Sequence, residues 1–139
     1  MKTTIKQICS VIGLAILVAV VSAQAQTQYR ANIPFDFSVG EKSYKAGEYY
    51  VSNVSQQSQA WMVGIRNAKG HIEYAMIRSI DEIRAGTPIL TFNRYGETYF
   101  LAAVNTPSFS VRFSASKSEV KLAKDLDEGH KSVAVSMKK

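Results

Sequence analysis

Short runs of alternating apolar and polar residues, separated by glycine- or proline-containing turns, predict a mainly β protein: a single antiparallel β-sandwich or partly closed β-barrel of about six to eight strands. Two further observations complete the expectation. A helical pattern appears once, near the C-terminus, and the sole cysteine, Cys9, lies close to the N-terminus, so the β domain must be held by its core without disulfides.

The strands justify themselves in order. Ala31, Ile33, Phe35, Phe37 and Val39 alternate with Asn32, Pro34, Asp36 and Ser38, the period-2 pattern of a strand with one buried face. Pro34 has no amide to donate, which predicts an edge strand or a bulge there. Gly40-Glu41-Lys42 turns the chain, and Ala46-Gly47 breaks it again before Tyr49, Tyr50, Val51 and Val54. Trp61, Val63 and Ile65 share a face that ends at the turn Asn67-Ala68-Lys69-Gly70. Ile72, Tyr74 and Met76 alternate in the next strand, with Glu73 and Arg78 directed outward, and Asp81 to Pro88 is a polar connection.

Leu90 and Phe92, the turn Arg94-Tyr95-Gly96-Glu97, and Thr98 to Val104 give the clearest hairpin. Phe109, Val111 and Phe113 add one more strand. Ser116 followed by Glu119 has the spacing of a capping box, and Val120, Leu122, Ala123 and Leu126 fall at helical intervals, so a helix is expected over about 116–128, ended by Gly129. Ser132 to Met137 alternates again, as a final edge strand or a dangling tail.

The N-terminus has the three parts of a secretory signal peptide: Lys2 and Lys6, a 14-residue apolar run from Ile8 to Val21, and small residues through Ala25. The run falls short of the roughly 20 residues needed to cross a bilayer, so it is expected to be removed and to leave no transmembrane span. Small residues in Ala23-x-Ala25 or Val21-x-Ala23 suit a peptidase, the first frame being favoured, and Cys9 precedes the apolar run where a lipidation cysteine would follow it. The chain therefore divides into residues 1–25, a cleaved leader, and 26–139, one domain, located in the periplasm or outside the cell. Of 17 basic residues Lys2 and Lys6 depart and no acid does, leaving 15 against 11 and a net charge of +4. That mild excess suits anionic surfaces and, with export, argues against nucleic acid as a partner.

Three stretches, Asn32-Ile33-Pro34-Phe35-Asp36-Phe37 with Gly40, Ala46-Gly47-Glu48-Tyr49, and Phe92-x-Arg94-Tyr95-Gly96-x-x-Tyr99-Phe100-Leu101, resemble an uncharacterised family of small exported β-rich proteins abundant in Acidobacteria. Lys45 stands where those proteins usually have proline, and Asn105 follows the Tyr-Phe-Leu strand where they often have tryptophan. The run Ser116-Lys117-Ser118-Glu119 resembles their Lys- and Glu-rich C-terminal segment. The resemblance implies export and a β fold, and it carries no assigned activity and hence no catalytic residue.

Catalytic chemistry finds little foothold in the residues themselves. Beyond the leader there is no thiol, no serine in a Gly-x-Ser-x-Gly turn and no phosphate loop, and His71 and His130 are 59 positions apart. His71 reads as a solvated ring at a strand start and His130 as a cation at a helix exit. The acid groups Asp81-Glu82 and Asp125-x-Asp127-Glu128 lack the ligand spacing of a calcium loop, so neither a metal nor a cofactor is expected.

Aromatic residues are the remaining resource. They suit strands and give a small core its bulk, but alternation sends Tyr49 and Tyr50 to opposite faces. Exposed members of the set Tyr49, Tyr50, Trp61, Tyr95 and Tyr99 are the candidate ligand or partner surface. A free sheet edge, blunted by Pro34 on one side and little blunted at Val133 to Val135, offers a second route, to self-association or strand pairing.

The function expected is that of an exported non-catalytic protein binding a partner or surface in the cell envelope, such as an envelope protein or a surface glycan. The alternative is a carrier of a small apolar or sugar ligand in a β-barrel cavity. N-terminal sequencing of the exported product is expected to return Gln26, or Gln24 for the earlier frame; an intact Met1 overturns the leader assignment.

Overall fold

The computed structural model describes residues 27–53, 62–70, 72–80, 86–127 and 129–139. The leader expectation, Trp61, His71, Asp81-Glu82 and Glu128 lie outside these residues. The domain is mainly β, with ten strands and one short C-terminal helix among the described residues. In chain order they are β1 (Gln28–Ile33), β2 (Phe37–Val39), β3 (Lys42–Tyr44), β4 (Gly47–Asn53), β5 (Met62–Asn67), β6 (Ile72–Ile80), β7 (Ile89–Tyr95), β8 (Thr98–Asn105), β9 (Ser110–Phe113), α1 (Lys117–Leu126) and β10 (Lys131–Lys138).

Strand pairing curls the sheet into a partly closed barrel. The order runs β3-β2-β8-β7-β10-β1-β4-β5-β6-β9, and β9 pairs back onto β8. β8 has β7 along one side; on its other side it meets β2 at Phe100 and β9 at Ala103, Val104 and Asn105. The β1–β10 seam holds two paired positions. The β2–β8 contact is parallel, which makes the sheet mixed where a purely antiparallel one is expected from sequence.

Three local expectations need correction. The single strand expected over Ala31 to Val39 is two, because Pro34 interrupts the ladder and the chain turns before β2. Pro34 does not blunt a sheet edge, since β1 lies between β4 and β10. The C-terminal strand is not an edge either: β10 pairs along six residues with β7 and also with β1. The edge strand seen at one end of the sheet order is β3, three residues long and bearing Lys42, a length and charge that discourage further pairing.

The turns follow their chemistry. Gly70 donates its amide to the Asn67 carbonyl at 3.0 Å and takes φ +87°, while the Asn67 side chain accepts from Lys69. Gly96, at φ +58°, makes the two-residue turn between Tyr95 and Thr98. Ser116 accepts the Glu119 amide at 3.1 Å as the helix cap, and the left-handed residue that ends α1 is Asp127, two positions before the expected Gly129.

Inside the barrel one contiguous cluster joins Tyr29, Ala31 and Ile33 of β1, Tyr49 and Val51 of β4, Val63 and Ile65 of β5, Leu90 and Phe92 of β7, and Leu101 and Val104 of β8. Phe35, in the β1–β2 connection, and Phe37, the first residue of β2, fold in. Phe35 meets Phe92 edge-on at 5.1 Å and stacks on Tyr99 at 3.9 Å; Phe37 meets Tyr49 at 5.1 Å and Phe92 at 5.5 Å. Edge-to-face pairs of this kind add about 0.5–1.5 kcal/mol each beyond the area they bury. Phe92→Ala is therefore expected to cost about 3–5 kcal/mol in urea unfolding, and Tyr50→Ala, on the outer face, about 1 kcal/mol or less.

Candidate functional site

Alternation along β4 decides the fate of its paired tyrosines. Tyr49 faces inward, 5% exposed, and its hydroxyl donates to the Lys45 carbonyl at 2.6 Å. Tyr50 faces outward, half-buried, and donates to Glu48 at 2.7 Å, a bond that pushes its hydroxyl pKa up by holding the proton. Tyr99 is half-buried with Phe35 on its ring. Tyr95 is 9% exposed beneath α1, where burial and then the neighbouring Glu119 raise its pKa. The aromatic set named from sequence is thus not gathered into one surface, and of its described members only Tyr50 stands on an outer sheet face away from both the core cluster and the helix.

Register builds a row around it. Arg30 is paired with Lys138 on one side and Tyr50 on the other, and Tyr50 is paired with Arg66. Lys138, Arg30, Tyr50 and Arg66 therefore lie side by side across β10, β1, β4 and β5, a span of about 14 Å at the usual strand spacing. The Arg66 guanidinium sits 5.2 Å from the centre of the Tyr50 ring. Arg30 approaches Glu48 at 3.8 Å, with both side chains well exposed. Planar guanidinium groups present forked donors that match carboxylate and phosphate oxygens. Sequence reasoning missed Arg30 and Arg66 because 36 positions separate them and only strand register makes them neighbours of one ring.

A second concavity of about 670 Å³ lies on a different face, over β10, β7, β8 and β9. Ser132, Asn93 and Phe100 make one cross-strand row; Ala134, Thr91, Ala103 and Arg112 make the next; Ser136, Ile89, Asn105 and Ser110 the third. The helix lies over the Asn93 position of the first row, whose Ser132 is exposed. Its Glu119, 5% exposed, accepts from Asn93 at 2.9 Å and from Tyr95 at 3.3 Å, so the capping-box carboxylate bonds to the sheet. His130, just past α1, places its ring 5.7 Å from that of Tyr95 and lines the concavity.

Among the described residues no group of three histidine, cysteine or acidic side chains could hold a metal ion, and no helix is long and apolar enough to cross a membrane. No family model, curated protein or solved structure matches the chain.

Two carboxylates pin the surface segments. Asp36 accepts from the Lys45 ammonium at 2.8 Å and the Ala46 amide at 2.9 Å, which holds its pKa below the usual carboxylate range. Glu41, in the β2–β3 turn, accepts from the Ser118 hydroxyl at 2.8 Å and the Lys117 amide at 2.7 Å, and is lowered likewise. A carboxyl whose folded pKa lies below its unfolded value stabilises the fold above the unfolded value, and that contribution is lost as pH falls through the folded one. Thermal unfolding is expected to move to lower temperature below about pH 4, and the Asp36→Asn/Glu41→Gln pair to melt earlier at neutral pH with a flatter acid limb.

Proposed function

We propose that this protein is exported, acts without catalysis, and binds an anionic surface in the cell envelope through the outer face of β1, β4 and β5. One observation carries the reading: Lys138, Arg30, Tyr50 and Arg66 form a single row on the outer sheet face, three cations and an aromatic ring, with Arg30 and Lys138 exposed and Tyr50 and Arg66 half-buried. Each cation near an anionic membrane surface contributes on the order of 1 kcal/mol, and a tyrosine ring suits the boundary between water and headgroups. Export is supported by the charged start, short apolar run and small-residue exit of the leader. The resemblance to small exported acidobacterial proteins supports the same address.

The carrier reading would need space where Leu90, Phe92, Val51 and Val104 pack, and where Phe35 and Phe37 bring further rings against that packing. The row on the outer face asks for no such space.

Co-sedimentation with phosphatidylglycerol vesicles tests the proposal, with phosphatidylcholine vesicles as the neutral control. The protein is expected to bind the anionic vesicles, to lose binding between about 0.1 M and about 1 M salt as the screening length shrinks, and to bind roughly a hundredfold more weakly as Arg30→Glu/Arg66→Glu/Lys138→Glu. Undiminished binding of that variant, or equal binding to both vesicles, overturns it.

A further inference from the structure

Beside the cationic row stands a carboxylate. Glu48 and Tyr50 are two residues apart on β4, so strand alternation turns both to the outer face. Glu48 is paired with Asn32 and Tyr50 with Arg30, which sets the Glu48 carboxylate diagonally across from the Arg30 side chain. Its two oxygens have different partners. Oε1 accepts the Tyr50 hydroxyl at 2.7 Å, and Oε2 faces the Arg30 guanidinium at 3.8 Å. The hydroxyl responds to both neighbours: its bond to Glu48 raises its pKa, and the Arg30 charge pulls the other way.

The tyrosine ring is held independently of Glu48. The Arg66 guanidinium lies over it, 5.2 Å from the ring centre, and reaches on to the Gln28 side-chain oxygen at 3.5 Å. Gln28 is paired with Ser52, on the other side of the row from Glu48. Removing Glu48 therefore frees a hydroxyl without freeing the ring. The ion pair to Arg30 is open to water, its side chains 55% and 40% exposed, and a pair so exposed contributes little. A competing anion displaces this carboxylate if it supplies the same pattern, two oxygens sharing one negative charge, one for the hydroxyl and one for the guanidinium. A phosphodiester carries that pair.

We propose that Glu48 occupies an anion subsite made by the Tyr50 hydroxyl and the Arg30 guanidinium, and that a headgroup phosphodiester takes its place when the protein docks. This assignment rests on the anionic-surface reading above and adds two roles to it. Tyr50 is a donor to the headgroup, and Glu48 holds the affinity down by competing for that donor.

Co-sedimentation of Glu48→Ala, Tyr50→Phe and the double variant with phosphatidylglycerol vesicles tests the proposal. Loss of one negative charge alone tightens binding about fivefold. Glu48→Ala, which also releases the hydroxyl, is expected to bind roughly thirtyfold more tightly than the unaltered protein. Glu48→Gln, whose amide oxygen still accepts the hydroxyl, is expected to stay near the charge effect of about fivefold, and so is Glu48→Ala in the Tyr50→Phe background. Equal gains from Glu48→Ala with and without the Tyr50 hydroxyl, or no gain at all, overturn the subsite. The anionic-surface reading survives that failure if the unaltered protein binds and Arg30→Glu/Arg66→Glu/Lys138→Glu does not. No binding by the unaltered protein and by Glu48→Ala alike overturns both.

Discussion

Phe92 is the residue on which the architecture turns. It is fully buried in β7, and Phe35 from the connection that leaves β1 and Phe37 from the start of β2 converge on it edge-on. Aromatic rings attract edge to face over a narrow range of separations, so two rings set against a third leave the connecting backbone few paths. The chain consequently doubles back after Pro34, and β2 runs parallel to β8 along the stretch that β9 does not reach. Asp36, between the two phenylalanines, turns outward and holds Lys45 and Ala46, which sets the chain into β4.

The same segment governs the helix. Ten residues make a marginal helix in isolation, yet α1 is tied down from two directions by acids. Glu41, in the turn after β2, meets its first amides, where the helix dipole favours negative charge. Glu119 reaches from the first turn of the helix to Asn93 and Tyr95 on the sheet. These anchors place α1 over Asn93 and Tyr95 of β7 and leave the neighbouring rows, with their alanines and short polar side chains, beside it. The groove is a consequence of where the helix is held.

Two outer faces of one barrel have thus acquired opposite characters. Across β1, β4 and β5 the outward positions carry long cations and a tyrosine, a surface that projects charge into solvent. Across β10, β7 and β8 they carry serine, threonine, asparagine and alanine, a recessed surface with directional hydrogen-bonding groups. The first suits an extended anionic surface, held by long-range attraction.

The sequence by itself determined the class of fold and its punctuation: period-2 runs write strands, Asn67 to Gly70 and Gly96-Glu97 write turns, and Ser116 opens the helix, because each of these depends on residues within a few positions of one another. It also placed Tyr49 and Tyr50 on opposite faces, since alternation is local. Tertiary structure decided which of the two faces the core, because that depends on what packs against β4. It decided, too, that Pro34 breaks a strand flanked on both sides, that Val133 and Val135 belong to a strand between β7 and β1, and that Glu119 bonds across to Asn93. The cationic row and the cross-strand neighbours of Ala103 lay equally beyond a reading along the chain. Arg30 and Arg66 come together through β4 and Ala103 meets Thr91 across a bulged ladder, and strand register is set by the packing of the whole sheet.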